Sequence, residues 1–384
     1  MQKKLIALAV ASLASGAAFA QTNVTIYGIA DAGYVYSTGS AGRAAGTNTF
    51  SGVQSGLLSG SRLGFKGEEA LGNGLKAIFT LEYSLNIDNN SGVGAGTPDA
   101  PATTLQARQQ FVGLSSAKLG TVALGRQYAP GYAATINNDP LGGAAFGPMN
   151  VLTATAGNTI NPGTNARWDN AVTYTTPNWG GFTAKGIYSF GERSSVTGSY
   201  NENVTSVSDN GKWGLGANFA NGPLNLDLVY QERQNVEDSA APVTPSGNGV
   251  NEVYVGGSFD LKMVKLMASW QAQNDKNALN ADNQTWQVGA VIPVLSASKI
   301  HLQYGSTMWD QGNNTAARRL TNWNGNTDAA TIAWTTSLSK RTTLYAGYVW
   351  IRNDDNSRAA AVVSGVGARG EDNNTFAAGL NHSF

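Results

Sequence analysis

The chain of 384 residues contains no cysteine and only two histidines. The absence of cysteine excludes a disulfide framework and any thiol chemistry. Charged residues are also scarce, at 13% of the chain against about 25% in a typical soluble domain. The formal net charge is zero, a balance that does not indicate a nucleic-acid partner.

Long apolar runs and catalytic motifs are absent as well. Beyond Gln21, polar residues and glycine interrupt every hydrophobic stretch before it reaches the roughly 20 residues of a membrane-spanning helix. There is no His-Glu-x-x-His motif, no Gly-x-Ser-x-Gly elbow and no phosphate-binding loop. A Ser-His-Asp triad could use only His301 or His382. The sequence therefore favours a protein that is not an enzyme and that binds no cofactor and no metal.

The first 20 residues have the features of a secretory signal peptide. Lys3 and Lys4 precede an apolar run at residues 5–14, and a small-x-small site ends at Ala20. A membrane anchor is the alternative, but the run is about half as long as a helix that crosses the hydrocarbon layer. We predict that residues 1–20 are removed on export and that residues 21–384 form one transmembrane β-barrel domain.

The mature chain is rich in segments whose side chains alternate between apolar and polar. In residues 74–87, one parity holds Leu75, Ala77, Phe79, Leu81, Tyr83 and Leu85, and the other is mostly polar. Because side chains alternate faces along a strand, this pattern predicts a strand with one apolar and one polar face. Residues 224–233 and 344–350 repeat it, at about the 9 to 11 residues of a tilted membrane strand. A single such segment fits a soluble β-sandwich equally well.

The connections between these segments alternate strictly in length, and this favours the membrane barrel. Long connections rich in Gly, Asn, Ser and Asp fall near residues 38–59, 88–103, 128–165, 191–209, 234–249, 274–283, 310–327 and 353–373. Seven short turns lie between these eight long loops, which gives 16 strands with both termini on the short-turn side. An even count with short turns at one end is typical of closed outer-membrane barrels. We therefore predict an all-β fold, a 16-stranded antiparallel transmembrane β-barrel.

Six motifs in the mature chain follow the order of a known family. They are the opening stretch from Asn23 to Tyr34, Ser-Arg-Leu-Gly-Phe-Lys-Gly from Ser61, Phe-Val-Gly-Leu-Ser from Phe111, Leu-Gly-Arg-Gln-Tyr from Leu124, Asn-Ala-Val-Thr-Tyr-Thr-Thr-Pro from Asn170, and Gly-Leu-Asn-His-Ser-Phe at the C-terminus. This series resembles the Gram-negative trimeric porins, in particular their betaproteobacterial branch. The resemblance covers nearly the whole mature chain.

The resemblance implies a location, an assembly and a function. It implies a homotrimer in the Gram-negative outer membrane, in contact with the lipid bilayer and lipopolysaccharide, that lets ions and small hydrophilic solutes diffuse passively. It also implies that the barrel-assembly machinery recognises Phe384, the last residue of an amphipathic final strand. A surface adhesin or phage receptor could coexist with this function, because eight long loops are exposed.

The resemblance further implies a pore constriction, formed where an inward-folded third loop faces basic residues of the barrel wall. The wall arginines of the family correspond to Arg62, Arg108 and Arg167, and we add Arg126, which stands where the third loop begins. Each of these arginines could instead be a solvated charge at a strand end. The predicted constriction consists of Arg62, Lys66, Arg108, Arg126, Asp139 and Arg167.

Side-chain parity supports only part of this assignment. Arg62 and Lys66 oppose the apolar Leu63 and Phe65, which predicts that both basic residues face the lumen. Arg167 shares its parity with Asp169, Thr173 and Thr175, opposite Trp168, Val172 and Tyr174, which gives the same prediction. Arg108 shares its parity with Gln110 but also with Val112 and Leu114, and Arg126 shares its parity with Val122 and Leu124, so the pattern leaves these two open.

The charge of the third loop predicts the selectivity. Porins of this kind are usually acidic there, but residues 128–165 contain one acid, Asp139. Since rings of charge at a narrow point select against ions of the same sign, several arginines and one carboxylate predict a mild preference for anions. A channel of the same fold that is specific for one anionic solute remains the alternative.

Overall fold

The computed structural model describes residues 23–39, 49–89, 106–191, 193–194, 200–201, 210–236, 248–277, 281–310, 324–354, 357 and 370–384. The predicted signal peptide at residues 1–20 lies outside this part of the chain. No helix among the described residues combines the length and the hydropathy needed to cross a membrane.

The described residues form one large antiparallel sheet that closes on itself. Its strands are β1 (Asn23–Gly39), β2 (Thr49–Ser55), β3 (Arg62–Gly72), β4 (Leu75–Ser84), β5 (Ala107–Ser116), β6 (Gly120–Tyr128), β7 (Arg167–Thr175), β8 (Phe182–Ser189), β11 (Lys212–Asn221), β12 (Leu224–Arg233), β13 (Val250–Asp260), β14 (Lys265–Asp275), β15 (Asn283–Leu295), β16 (Ser298–Asp310), β17 (Asn324–Ser337), β18 (Thr342–Asn353) and β19 (Asn373–Ser383). Two short strands, β9 (Arg193–Ser194) and β10 (Tyr200–Asn201), form a separate hairpin.

Strands β2 and β3 occupy one position in the barrel. Both pair with β1, β2 along its second half and β3 along its first half. Strand β19 pairs with the other edge of β1 and closes the sheet. The described chain therefore forms a closed 16-stranded antiparallel barrel, and the predicted fold class is confirmed.

Alternation of exposed and buried side chains follows the predicted parity in the regular strands. In β4, Leu81 is 40% exposed on the outer face, whereas the neighbouring Glu82 is 4% exposed on the inner face. Alternating apolar-out and polar-in positions are what a barrel in lipid requires, since its outer band meets hydrocarbon and its interior meets water.

The first long connection differs from its prediction as a loop over residues 38–59. Among the described residues of this connection, 49–55 continue the ladder with β1 as strand β2, and 56–61 leave the wall and turn inward. The carboxylate of Asp31 accepts hydrogen bonds from Leu57 N at 2.9 Å and from Ser59 N at 3.1 Å. Leu57 is fully buried, so an apolar anchor and a buried carboxylate together hold this bend.

The third long connection, called loop 3 (residues 129–166), has structure of its own. It contains helix α1 (Pro130–Asn137), helix α2 (Pro148–Thr155) and a 3₁₀ turn (Thr164–Ala166). Both helices start with proline, whose missing N–H and fixed φ suit the first helical position. Helix α1 packs against β11, β12 and β13, and helix α2 against β15, β16 and β17.

Polar side chains of the inner wall bind the backbone of loop 3. Oε2 of Glu252 accepts hydrogen bonds from Thr159 N at 2.8 Å and Ile160 N at 2.9 Å. Gln231 accepts one from Gly131 N at 2.8 Å, and His301 Nδ1 lies 2.7 Å from the carbonyl oxygen of Pro140. These bonds satisfy backbone groups that would otherwise be buried without partners.

An apolar cluster fixes the other side of loop 3. It contains Leu57 from the bend, Leu141, Ala144, Phe146, Val151 and Leu152 from loop 3, and Val35, Ala329, Ala333, Tyr345, Val349, Ile351 and Ala377 from the wall. Glycines leave space for the loop: a Cβ on Gly347 would lie 2.8 Å from the ring of Phe146. Loop 3 therefore fills part of the barrel interior on the side opposite the wall of β3 to β7.

Candidate functional site

Three of the predicted basic residues come together on the inner wall. We call Arg62, Arg108 and Arg167 the arginine cluster; they stand at the long-loop ends of β3, β5 and β7. Arg108 Nε donates to Glu82 Oε1 at 2.7 Å, and Arg62 Nη1 lies 3.8 Å from Glu82 Oε2. One carboxylate thus lies between two guanidinium groups.

A tyrosine connects the third arginine to the other two. The hydroxyl oxygen of Tyr128 accepts hydrogen bonds from Arg108 Nη2 at 3.1 Å and from Arg167 Nη2 at 3.0 Å. The guanidinium carbon of Arg167 also lies 5.0 Å from the centroid of the Tyr128 ring, within the range of a cation–π interaction. Tyr128 is the last residue of β6, so the cluster meets the start of loop 3.

Helix α1 presents a second tyrosine to the cluster. The rings of Tyr128 and Tyr132 are stacked, with centroids 3.5 Å apart and planes 11° apart. Burial raises the pKa of Tyr132 above its ordinary value, so its hydroxyl stays neutral at physiological pH. The arginine cluster therefore faces a neutral aromatic surface of loop 3.

A β-bulge aims Arg108 into the barrel. Leu81 pairs with Gln110 but Tyr83 pairs with Ala107, so one extra residue of β5 is inserted between these two pairs. An extra residue reverses the alternation beyond it. Arg108 therefore points inward although it shares its parity with the outward Val112 and Leu114, which is why the pattern left it open.

A second irregularity interrupts the alternation of β7 next to Arg167. The register between β6 and β7 shifts between Gly125 and Gln127, and Asn170 has a φ of +48°. As a result Trp168 is fully buried while Asp169 is exposed. The prediction that Asp169 shares a face with Arg167 is corrected, because an extra residue of β7 interrupts the alternation between Trp168 and Ala171. Arg167 points into the barrel, on the side of the buried Thr173 with which it shares its parity.

Lys66 lies beside the cluster on the same face as Arg62, nearer the short-turn end. It is exposed, and its Nζ lies 5.2 Å from the centroid of the Tyr27 ring. The Tyr27 hydroxyl donates to Glu82 Oε2 at 3.1 Å. Lys66 therefore touches the cluster only through Tyr27.

The prediction that Arg126 lines the constriction is corrected. Its Nη1 lies 2.5 Å from Oδ1 of Asp169, and it shares a face with Val122 and Leu124, both exposed on the outside of the barrel. The alternation of β6 continues to Arg126, so this side chain points away from the lumen.

The placement of Asp139 opposite the arginines is also corrected. Asp139 is 2% exposed, and its oxygens accept hydrogen bonds from Leu141 N at 3.0 Å and Gly143 N at 2.9 Å. Burial raises the pKa of its carboxyl from the usual 3.8 to about 6, although these hydrogen bonds act in the opposite direction. It stabilises a turn of loop 3 against the wall, because short-range backbone donors are available there.

Sequence reasoning missed Glu82, Tyr27, Tyr128 and Tyr132 as members of the site. Glu82 carried a usable signal, since it lies on the polar parity of residues 74–87. The tyrosines carried none, because a tyrosine at a strand end fits a lipid interface equally well. No group of His, Asp and Glu among the described residues has the geometry to hold a metal ion.

Phe384, the predicted assembly signal, lies where the barrel closes. Its backbone exchanges two hydrogen bonds of 3.1 Å with Gly28, and its ring covers the position where a Cβ of Gly28 would stand. The side chain is 46% exposed on the outer face. Phe384 therefore joins the first strand to the last in the described structure.

Comparison with known proteins identifies similar chains over the full length. A family model described as Gram-negative porin matches residues 7–356. Outer membrane porin protein 32 of Delftia acidovorans is 30% identical over 392 residues, covering 100% of each chain. A second outer membrane porin protein, from Bordetella pertussis, is 30% identical over 414 residues, covering 96% of this chain and 99% of that one.

A solved structure agrees with these matches. The anion-selective porin from Comamonas acidovorans has a TM-score of 0.74 to this structure at 26% sequence identity. The superposition covers 95% of this chain and 100% of the other.

Proposed function

The chain belongs to the Gram-negative porin family, and from that premise we propose that it is a general diffusion channel of the outer membrane with a mild preference for anions. The observation that carries the preference is the arginine cluster. Three guanidinium groups and the single carboxylate of Glu82 leave a net charge of two positive units at the start of loop 3.

Loop 3 adds little charge to oppose this cluster. Its one acid, Asp139, is buried in its own turn, and loop 3 presents the neutral side chains of Tyr132 and Thr164 to the cluster. Two unit charges about 4 Å apart interact by about 1 kcal/mol in water and by several times more at an effective dielectric of about 20. A small excess of positive charge at a narrow point therefore attracts anions and repels cations.

The zero-current potential of the purified channel in a salt gradient tests this proposal. The double replacement Arg62→Gln and Arg167→Gln leaves Arg108 paired with Glu82, so the net charge of the cluster falls from two positive units to zero. We expect the wild-type potential to indicate anion preference and the double variant to lose it. Higher salt should weaken the wild-type preference, because the screening length contracts from about 10 Å at 0.1 M to about 3 Å at 1 M.

Lys276 supplies the matched control. It is exposed in the long connection after β14, and Lys276→Gln removes one positive charge outside the barrel interior. This variant should shift the potential much less than either single arginine replacement. A strongly cation-selective wild-type pore at low salt, or an unchanged potential in the double variant, would contradict the proposal.

A channel specific for one anionic solute is the second candidate. The stacked Tyr128 and Tyr132 beside three arginines offer an aromatic face as well as positive charge, which is favourable for an organic anion. Conductance titrated with candidate anions separates the two: saturable block supports the specific channel, and a linear response supports general diffusion.

Membership of the porin family also supports a proposal for the assembly and the partners of this chain. The relatives are outer membrane porins, and we infer a homotrimer in contact with lipid, with lipopolysaccharide at its outer rim and with the barrel-assembly machinery during insertion. Outward apolar side chains such as Leu215, Met263 and Ile332, all more than half exposed, support contact with lipid. Small ions and hydrophilic solutes are the molecules transported, and the family is one of channels rather than enzymes.

A further inference from the structure

A cavity of about 210 Å³ lies behind loop 3, between helix α1 and the inner wall of β7, β8, β11 and β12. Pro130, Ala133 and Asn137 line it from the helix, and Lys185 lines it from the wall. None of the three arginines of the cluster lines this cavity, although Tyr128, which binds two of them, is also bound by Lys185. It is larger than a cavity of roughly 150 Å³ that binds benzene, so a small organic molecule fits.

Lys185 enters this cavity with hydrogen-bonding capacity to spare. Its Nζ donates to the carbonyl oxygen of Tyr128 at 2.6 Å, which uses one of the three N–H groups of an ammonium. Within the described parts of the chain, the ion pairs join other residues and no carboxylate lies within 4.0 Å of this Nζ. A positive charge held inside the barrel without a counter-ion attracts an anion.

Asp227, the acid that lines the cavity, forms no ion pair with Lys185 among the described residues. The carboxylate of Asp227 accepts hydrogen bonds from four asparagine side chains, Asn137, Asn138, Asn218 and Asn225, at 2.7 to 3.3 Å. These donors fill its lone pairs, so it offers no acceptor to a cationic group of a ligand. Its negative charge disfavours a dianion in the same cavity more than it disfavours a monoanion.

The remaining lining is largely hydrocarbon. Ala133 and Ala134 of α1 and Val229 of β12 contribute methyl groups, and Thr175 and Thr183 contribute small side chains. Such a lining favours a ligand with an apolar part over a fully hydrated inorganic ion.

We propose that this cavity binds a short-chain monocarboxylate, with the carboxylate on Lys185 and the carbon chain against Ala133 and Val229. Each methylene that leaves water should strengthen binding about fourfold. The bound anion would link α1 to β8 and so hold loop 3 against the wall. The site does not rest on ion selectivity and can be tested apart from it.

Saturation-transfer NMR on the purified folded protein in detergent tests the site, with acetate, propionate and butyrate as probes. We expect saturable binding that strengthens about fourfold at each step of chain length. Lys185→Met, which keeps the length of the side chain and removes its charge, should weaken propionate binding at least tenfold. Lys276→Met, which removes an exposed lysine elsewhere, should leave it unchanged.

A second variant covers the case in which Lys185→Met fails to fold. Ala133 is exposed and lines the cavity, so Ala133→Leu fills the space while Lys185 stays in place. This variant should also weaken butyrate more than acetate. The proposal is overturned if binding does not saturate, if it is independent of chain length, or if chloride competes as well as propionate.

The variants of the arginine cluster separate this site from the proposed constriction. Arg62→Gln with Arg167→Gln should leave propionate binding intact while it changes the zero-current potential. Loss of propionate binding in that double variant would place the ligand at the arginine cluster and overturn the cavity site. If the wild-type channel showed no anion preference, saturable propionate binding at Lys185 would still be expected in the NMR experiment.

Discussion

Several carboxylates inside the barrel accept hydrogen bonds from neutral donors of loop 3 and of the bend at residues 56–61, and Glu252 also forms an ion pair with Arg233 at 3.3 Å. Asp31 holds the bend at residues 56–61, Glu252 holds loop 3, and Asp139 holds its own turn. Among the described residues, Glu82 is the carboxylate that pairs with the arginine cluster. The wall acids therefore organise the loops, and most of the positive charge of the cluster is left without a counter-ion.

Asp139 makes the stability of the folded protein depend on pH, and the sign of this dependence follows from the burial of its carboxyl. The unfolded chain releases this proton near pH 3.8, but the folded protein keeps it up to about pH 6. Stability from this group is therefore highest at low pH, falls as pH rises between these values and stays low above pH 6. Between low pH and neutral pH, the free energy of unfolding loses about 3 kcal/mol from this group.

Replacing Asp139 with Asn should remove this dependence. The wild-type protein should lose stability between pH 4.5 and 7, and Asp139→Asn should lose less, since the other titrating groups are common to both. The measurement is the midpoint of thermal unfolding of the two purified proteins at both pH values. An equal change in both proteins would show that the carboxyl titrates as it does in water.

Side-chain parity in the sequence located the lumen residues of the regular strands. Arg62 and Lys66 obey simple parity, because β3 alternates without interruption there. Asp139 could not be placed, since its partners are backbone groups two and four residues away that carry no sequence signature.

At the scale of the elements, the strands were predictable and their irregularities were not. Each strand faces lipid on one side and water or loop 3 on the other, so its apolar period of two is visible in the sequence. A bulge changes that period by one residue at a position where many residue types are allowed. Arg108 reaches the site through such a bulge, which is why only resemblance assigned it.

Asn170 allows a direct test of the irregularity in β7. Its φ of +48° suits Asn and Gly, whereas a β-branched side chain is disfavoured there by about 1–2 kcal/mol. We expect Asn170→Val to lower the free energy of unfolding by about that amount and to reduce anion preference through a displaced Arg167. Denaturant unfolding and the zero-current potential measure the two effects.

Asn170→Gly is the matched control. It loses the asparagine side chain, as the valine variant does, but glycine tolerates the positive φ. It should remain close to the wild type in both measurements. Equal behaviour of the valine and glycine variants would mean that the backbone conformation at this position does not aim Arg167.

At the scale of the whole molecule, Phe384 contributes to the closure of the barrel. Phe384 both ends the last strand and pairs with Gly28 of the first, so its loss should reduce the amount of folded barrel more than the conductance of each channel. Phe384→Asp should lower the yield of heat-modifiable protein on a detergent gel, and Phe384→Tyr should retain most of it. Normal yield with altered conductance in Phe384→Asp would contradict this role.

The sequence predicted closure from an even strand count, and the resemblance implied an inward-folded third loop, but neither predicted the contacts that hold it. Loop 3 and the bend at residues 56–61 depend on contacts between distant segments, such as Phe146 against Gly347. Single-chain patterns do not report such pairs, because either partner alone is an ordinary residue. The contacts that position loop 3 and the bend inside the barrel are therefore visible only in the structure.

The pairing of β1 with β19 also dictates the order of events during folding. Asn381 donates a hydrogen bond to Asp31 across 350 residues, and such distant contacts form slowly because a long loop must close before they contribute. Until β19 arrives, β1 and β18 are open edges that can pair with other chains. Every strand edge is paired only after the last strand has been added. We therefore expect the exported chain to avoid aggregation only if it is kept unfolded until it reaches the membrane.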